Sequence, residues 1–236
     1  MKKEYLNRDL TTGTVWQRLL MFFLPIAAGT CIQQLYNAVD GLIVSRFVGT
    51  VALAAVGGSS AQVINVLIGF FVAVTAGASV VIAQIYGAGR TEDVRVAAGN
   101  AISVFGMLGI LLAVFGLVAS PAILRLLQTP EDTLPGSILY LRIYFLGVPF
   151  VLILNMESNM LRSVGDSFSP FLYMVVGCVT NIVLDIVFVV LFHWGIAGVA
   201  IATVAAQIIN MVLLTRKLML TDAPYRLSFR ELKLKG

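Results

Sequence analysis

The sequence predicts an all-α membrane protein, a bundle of six transmembrane helices. Hydrophobic residues make up 59% of the 236 residues, whereas charged residues make up only 12%. The mean hydropathy is +0.95. Soluble domains carry about 25% charged residues, and the polar sequence here is too sparse to cover a soluble core. Repeated apolar runs of about 20 residues match the length that a helix needs to cross a bilayer.

Charged residues separate these runs and delimit the spans. The first run is long and lacks a small-residue cleavage site, so it predicts a spanning helix and not a signal peptide. Residues 47–89 are uncharged and have room for two short spans, but Gly57 and Gly58 favour a turn followed by one long helix. The predicted spans are residues 15–44, 55–86, 96–118, 137–160, 170–192 and 195–214. They form a lobe at 15–220, between an amino-terminal segment at 1–14 and a linker or tail at 221–236.

The distribution of basic residues predicts the orientation in the membrane. Six spans place both termini on the same side, and all but Arg46, Arg125 and Arg142 of the 16 basic residues fall on that side. The positive-inside rule therefore predicts cytoplasmic termini and a multi-pass protein of the cell inner (cytoplasmic) membrane. Because the basic residues are spread among membrane loops, the expected partner is the lipid bilayer and not a nucleic acid.

Two carboxyl groups lie inside predicted spans, Asp40 in the first and Asp185 in the fifth. A charge at membrane depth is costly, so such residues usually face a cavity and mark an ion or substrate path. Tyr36 and Asn181 each lie one helical turn before an aspartate and share its face. Asp185 lies about 22 Å beyond the start of its span and Thr203 about 12 Å below the opposite surface, nearly the same level in a core of about 30 Å.

This cluster predicts a proton or cation site. A carboxyl group in an apolar cavity favours its neutral form, and a second carboxyl nearby strengthens that preference. Protonation removes a buried charge, which can couple a proton gradient to a change of conformation. The same oxygens could coordinate sodium at Asp40 and Asp185, the one metal ion that the sequence suggests. The alternative is that each aspartate is structural and bonds to a neighbouring helix.

Two further features lie inside the spans. Pro25 is expected to kink the first helix because it lacks an N–H donor and its ring clashes with the preceding turn. Such a bend could move Asp40, although membrane helices also tolerate proline without a functional role. Glu157 lies with Asn155 near the end of the fourth span, where we expect it to snorkel to the interface or to line a cavity.

Five stretches resemble the multidrug and toxic compound extrusion (MATE) family along essentially the whole chain. They are residues 33–40 after Pro25 (QQLYNAVD), 84–90 (QIYGAGR), 162–166 (RSVGD), 181–185 (NIVLD) and 198–203 (GVAIAT). The resemblance implies an antiporter that exports cationic or amphipathic drugs and toxic compounds against inward proton or sodium flow. It implies no other cofactor, and it leaves the substrate undetermined.

The resemblance also implies a fold and a set of site residues. Family members have twelve helices in two six-helix lobes, so this chain matches one lobe and needs a second from the same parent chain or from a partner subunit. The matching cation site consists of Asp40, Asn181, Asp185 and Thr203, with Tyr36 as a hydrogen-bond partner and Pro25 as the hinge. Candidates for the cavity wall are Gln34, Asn155 and Glu157.

Other functions fit the sequence less well. A lipid-linked oligosaccharide flippase of the same superfamily would need several basic residues in its cavity, and only Arg142 in the fourth span supports it. An intramembrane serine protease would need a serine near 58–60 to meet His193, which lies in a turn. A phosphate-binding Gly-x-x-x-x-Gly-Lys-Ser/Thr loop is absent, which argues against an ATP-driven pump. We therefore expect a transporter and not an enzyme.

Overall fold

The computed structural model of the chain describes residues 14–221 and 225–226. The predicted amino-terminal segment, apart from Thr14, and most of the predicted tail lie outside the described residues. Within them, six helical segments are long and apolar enough to cross a membrane, which confirms the predicted six-span bundle. The helices are α1 (Val15–Phe47), α2 (Thr50–Gly57), α3 (Ser59–Gly87), α4 (Thr91–Leu126), α5 (Leu134–Ser163), α6 (Phe168–Asp185) and α7 (Gly195–Leu220), and a π-helical segment (Ile186–Leu191) continues α6.

The second span is interrupted at the glycine pair where a turn was predicted, but the prediction missed the short helix α2 that precedes this turn. It begins five residues earlier than expected, at Thr50, and breaks at Gly58 between α2 and α3. Gly49, with φ of 116°, makes the turn that precedes it, and this conformation favours glycine. At Gly58, a Cβ atom would lie 2.5 Å from the Ala54 carbonyl oxygen, so the break requires a glycine.

Helix α4 is longer than predicted at both ends. The predicted span, 96–118, stopped at charged residues, whereas the helix includes Glu92 and Asp93 in its first turn and Arg125 in its last. These signs complement the helix dipole, with acids at the amino end and a base at the carboxyl end. Charged residues thus mark where the apolar core ends but not where the helix ends.

The side chain of Asp166 ties the loop between α5 and α6 to α6 and to α7. Its carboxylate accepts from the Ser169 N–H at 2.9 Å and from the Ser169 hydroxyl at 2.6 Å, and it pairs with Lys217 of α7 at 3.5 Å. A side-chain cap of this kind satisfies a free donor at the helix start. We call this end of the lobe the α5–α6 loop end, and the opposite end, where residues 192–194 join α6 to α7, the α6–α7 turn end.

The one described part of the predicted tail returns to the lobe. Tyr225 is buried, and its ring lies 6.4 Å from that of Tyr86 at the end of α3. Burial, together with the nearby Asp166 charge, raises the pKa of the Tyr225 hydroxyl to about 12. This tyrosine therefore stays neutral across the physiological range and closes the apolar core at the α5–α6 loop end.

Helix α5 is the centre of the lobe. It packs against α4, α7 and α3, and its buried face supplies much of the apolar core, including Leu141, Phe145, Leu152, Met156 and Met160. Helix α1 lies at the edge, where it contacts mainly α6 and α2. Close approach of α4 to α5 depends on small residues, since Gly109 faces the backbone of Pro149 and Gly116 faces the ring of Phe145.

Candidate cation site

The five residues predicted for the cation site come together near the α6–α7 turn end. The carboxyl groups of Asp40 on α1 and Asp185 on α6 lie within hydrogen-bonding reach of each other. The Tyr36 hydroxyl reaches that of Thr203 on α7. The Asn181 amide donates to the same Thr203 hydroxyl oxygen at 3.5 Å. The site therefore joins three helices that are distant in sequence.

Helical spacing positions these side chains. Asn181 and Asp185 are one turn apart on α6, and both point away from the lipid side, with exposed fractions of 2% and 0%. Thr203 is 6% exposed and donates to the Val199 carbonyl at 3.0 Å, so its oxygen can accept hydrogen bonds from the cluster. The π-helical segment begins directly after Asp185. Such segments shift the register of a helix and often occur at functional sites.

The cluster is rich in acceptors and poor in donors. Buried side-chain oxygens without a hydrogen-bond donor include Asp40 Oδ1, Asn181 Oδ1 and both carboxyl oxygens of Asp185. Two ionised carboxylates at this separation would repel each other strongly at the low dielectric of the membrane interior. A single positive charge or one shared proton between the two carboxyls removes that repulsion and satisfies the acceptors.

The donor set suits a hard monovalent cation as well as a proton. Asp40, Asp185, Asn181 and Thr203 offer carboxylate, amide and hydroxyl oxygens, the ligands that hard cations prefer. Among the described residues, no group of three or more histidine, cysteine, aspartate or glutamate side chains could hold a metal ion. The residues thus fit sodium, but they do not form a transition-metal site.

Two tyrosines of α5 lie beside the cation site and were not predicted from the sequence. Tyr140 is 7% exposed and lies close enough to act electrostatically on Asp40, Asp185 and Tyr36. Tyr144, one turn later, also acts on Tyr36, and the rings of the two α5 tyrosines are 6.3 Å apart. The sequence offered no clear signal for them, because Tyr140 lies only six residues into α5, where a tyrosine is commonly interfacial.

A cavity of about 370 Å³ runs along the lobe from the cluster toward the α5–α6 loop end. Tyr36 and Asn181 line it near the cluster, whereas Arg162 and Ser167 line it at the other end. Its lining also includes Pro25, Gln33, Asn155, Ser158, Gln207 and Asn210.

The candidates for the cavity wall divide in the structure. Asn155 lines the cavity, and its amide donates to the Val151 carbonyl at 2.8 Å. Gln34 does not line it, because it is exposed on another side of α1, where it bonds to Asn37 at 3.3 Å, and Gln33 lines the cavity instead. Glu157 is fully buried between α5 and α7, so the prediction that it snorkels to the interface is wrong.

The architecture of the described residues defines a helical membrane protein with six spans. A family model described as MatE matches residues 25–187. The probable multidrug resistance protein YoeA of Bacillus subtilis (strain 168) is 33% identical over 85% of this chain and 44% of its own length. The chain belongs to the MatE family, as the sequence motifs indicated.

Solved structures show the same fold. A MOP superfamily transporter from Pyrococcus furiosus is 26% identical, with a TM-score of 0.85 over 97% of this chain and 49% of that one. The outward-facing conformation of a multidrug resistance MATE family transporter is 25% identical, with a TM-score of 0.84 and the same coverage. The chain thus spans about half the length of the curated relatives and transporter structures that it matches, which agrees with one lobe of two.

Proposed function

We propose that this chain is the cation-binding lobe of an antiporter that exports cationic or amphipathic toxic compounds in exchange for protons. The observation that carries the proposal is the pair of facing carboxyl groups on two helices, Asp40 half-buried and Asp185 fully buried, three of whose oxygens are buried without a donor. Named relatives such as YoeA are described as probable multidrug resistance proteins, which supports drug-like substrates. No other cofactor is required.

The geometry suggests how a proton changes the conformation. Without a proton, the repulsion between Asp40 and Asp185 pushes α1 away from α6. With one proton, either carboxyl donates to the other and the two helices are held together. Because α1 packs mainly on α6 and is otherwise little buried, this contact decides where it lies. Pro25, which lines the cavity, provides the flexible point in α1.

Sodium is the second candidate for the coupling ion. It is favoured by the unpaired Asn181 Oδ1, which a proton shared between the aspartates would leave without a partner. In that case Asp40, Asp185, Asn181 and Thr203 would hold the ion, and it would be exchanged as the proton is. Proton coupling is preferred because the carboxyl groups reach each other directly.

The proposal includes a second six-helix lobe and a membrane. The second lobe comes from the same parent chain or from a partner subunit, and the substrate passes between the two lobes. The lobe lies in the cytoplasmic membrane with both of its termini in the cytoplasm, because most basic residues lie on that side.

The competing functions receive little support from the structure. Arg142, the residue that favoured a flippase, is exposed and donates to the Leu117 carbonyl on α4, and it is not among the residues that line the cavity. Ser60, a candidate nucleophile, is buried and donates to the Ser137 carbonyl at 3.5 Å. His193 is exposed in the turn after the π-helical segment, so no serine–histidine pair supports a protease.

The test is export from lipid vesicles by the complete transporter, this chain with its second lobe, driven separately by a proton and by a sodium gradient. We expect Asp40→Asn and Asp185→Asn, each alone, to abolish gradient-driven export in folded protein, because the one remaining carboxyl has no second carboxylate with which to share a proton or a cation. Asp132→Asn, in an exposed loop, is the matched control and should export normally. Normal export by both Asp40→Asn and Asp185→Asn would refute the proposal. The gradient that drives export by the wild type identifies the coupling ion.

A further inference from the structure

A third buried carboxyl lies at the opposite end of the lobe from the aspartate pair. Glu157 is on α5 and is 0% exposed. Its Oε1 atom lies 2.5 Å from the hydroxyl oxygen of Thr215 on α7, and its Oε2 atom has no hydrogen-bond partner. A fully buried carboxylate with one partner would be costly, whereas a neutral carboxylic acid loses far less on burial.

Counting hydrogens at Thr215 indicates the neutral form. The Thr215 hydroxyl oxygen is 2.5 Å from Glu157 Oε1 and 2.9 Å from the Met211 carbonyl oxygen. A hydroxyl carries one hydrogen, and the Met211 carbonyl can only accept. Both contacts are hydrogen bonds only if Glu157 supplies the second hydrogen, so that it donates to Thr215 while Thr215 donates to Met211.

The surrounding charges give Glu157 no counterion. At this end of the lobe, the ionisable groups on α5 itself, on the helices packed against it and in the adjoining loops are Tyr86, Arg90, Glu92, Asp93, Arg95, Arg162, Asp166, Tyr173, Arg216 and Lys217. Lys217, two residues beyond Thr215, pairs with Asp166, and Arg90 pairs with Asp93. No ion pair joins Glu157 to a described residue, and burial and the Thr215 hydroxyl are the influences that act on it.

The position of Glu157 relates it to the cavity. Twelve residues of α7 separate Thr203 from Thr215, a rise of about 18 Å along the helix. Between these levels the cavity is lined by the polar side chains of Ser158, Gln207 and Asn210. Ser158 follows Glu157 directly, and Asn210 is 7% exposed with an unpaired Oδ1.

We propose that Glu157 and Thr215 form a second proton-binding site, buried beside the cavity at the α5–α6 loop end and separate from the Asp40–Asp185 pair. In the present conformation Glu157 holds its proton as a neutral acid. Its part in transport rests on the proposed function, and there it would exchange a proton with the cavity on the side opposite the aspartates. Its protonation does not rest on that function and can be measured alone.

Infrared difference spectroscopy of the protein in lipid vesicles, with pH as the only probe, measures the protonation directly. We expect a carbonyl band of a protonated carboxyl at neutral pH that is lost in Glu157→Gln and retained in Asp185→Asn. Glu131→Gln, an exposed residue, is the matched control and should leave the band unchanged. A spectrum of folded Glu157→Gln that loses no such band would overturn the proposal.

A second variant keeps the test decisive if Glu157→Gln does not fold. Thr215→Val retains the acid and the shape but removes its hydrogen-bond partner, so the same band should shift to higher wavenumber. No shift would show that Glu157 does not donate to Thr215, which contradicts the proposal.

In the complete transporter, Glu157→Gln should lower proton-driven export several-fold. Normal export by Asp185→Asn would refute the antiport mechanism but leave the Glu157 band in place, so the two failures are distinguishable.

Discussion

Helices α1 and α5 differ in how far they are buried in the lobe. In its most apolar stretch, α1 has 6% of its residues buried, compared with 44% for α5. Helix α5 is fixed by α3, α4 and α7, whereas α1 rests mainly on α6 and α2. Yet Tyr36 and Asp40, two of the five residues of the cation site, are on α1, and the residues that they contact are on better packed helices.

This difference in burial indicates which helix can move when a proton or a cation binds. An element with many buried contacts changes little when one polar contact is added, because its position is already determined by packing. An element with few buried contacts can be moved by a single carboxyl pair, since elements that move are drawn from the less stable parts of a fold. Placing Asp40 on α1 therefore makes the loosely packed helix respond to the cation.

The largest effect should come from filling the contact between α4 and α5. A Cβ atom at Gly116 would lie 2.0 Å from the ring of the buried Phe145. Gly116→Ala should therefore destabilise the protein by about 1–3 kcal/mol, the usual cost of overpacking a core. Thermal unfolding in detergent, followed by loss of the monodisperse peak, measures this.

The matched substitution on α1 tests the comparison. At Gly29 a Cβ atom would lie 3.0 Å from the Met174 Cε atom, the mobile end of a flexible side chain. Gly29→Ala should change stability by less than about 1 kcal/mol, because Met174 can adjust. Gly69→Ala, with no atom within 4 Å, controls for the change in helix propensity. Equal losses at Gly116 and Gly29 would refute the difference in packing between α1 and α5.

A smaller effect is expected where the two regions meet. Thr203→Val removes the hydroxyl that Asn181 and Tyr36 reach but keeps the side-chain shape. We expect a loss of about 1 kcal/mol in stability, typical of one hydrogen bond, with a much larger loss of gradient-driven export. Ser79→Ala, which removes a hydroxyl that bonds locally to the Ala76 carbonyl at 2.7 Å and does not line the cavity, is the control. Proportionate losses in stability and export would indicate that Thr203 is only structural.

The features that the sequence predicted correctly are local ones. Six spans follow from the length of apolar runs, and the aspartates inside them are conspicuous because their burial is costly. The short helix α2 and the π-helical segment after Asp185 were missed, since both depend on how α2 and α6 pack on their neighbours. The sequence pattern shows which residues are apolar, but it does not show how one helix is rotated relative to another.

The site divides in the same way. Asp40, Asn181, Asp185 and Thr203 could be selected because polar residues at similar depth on separate spans suggest a cluster. Tyr140 could not, because tyrosine is common in membrane helices and becomes informative only when its ring faces the carboxyls. The environment of Glu157 was misjudged because its closeness to a span end suggested the interface, whereas Thr215 of α7 encloses it.

The smallest loss of stability should come from Pro25, inside α1. Because α1 is little buried, Pro25→Ala removes little packing, and because it restores a backbone N–H donor it should not lower the free energy of unfolding. Pro121→Ala, in a helix that contributes no residue to the cation site, is the matched control for replacing a proline within a helix. Export should fall several-fold with Pro25→Ala and stay normal with Pro121→Ala, because only α1 has to bend for Asp40 to approach and leave Asp185.

Spin labels at exposed positions 20 and 42 of α1 measure the bend directly. The distance between the two labels should depend on pH in the wild type and lose that dependence in Pro25→Ala. A pH-dependent separation that survives the substitution would place the flexible point elsewhere in α1.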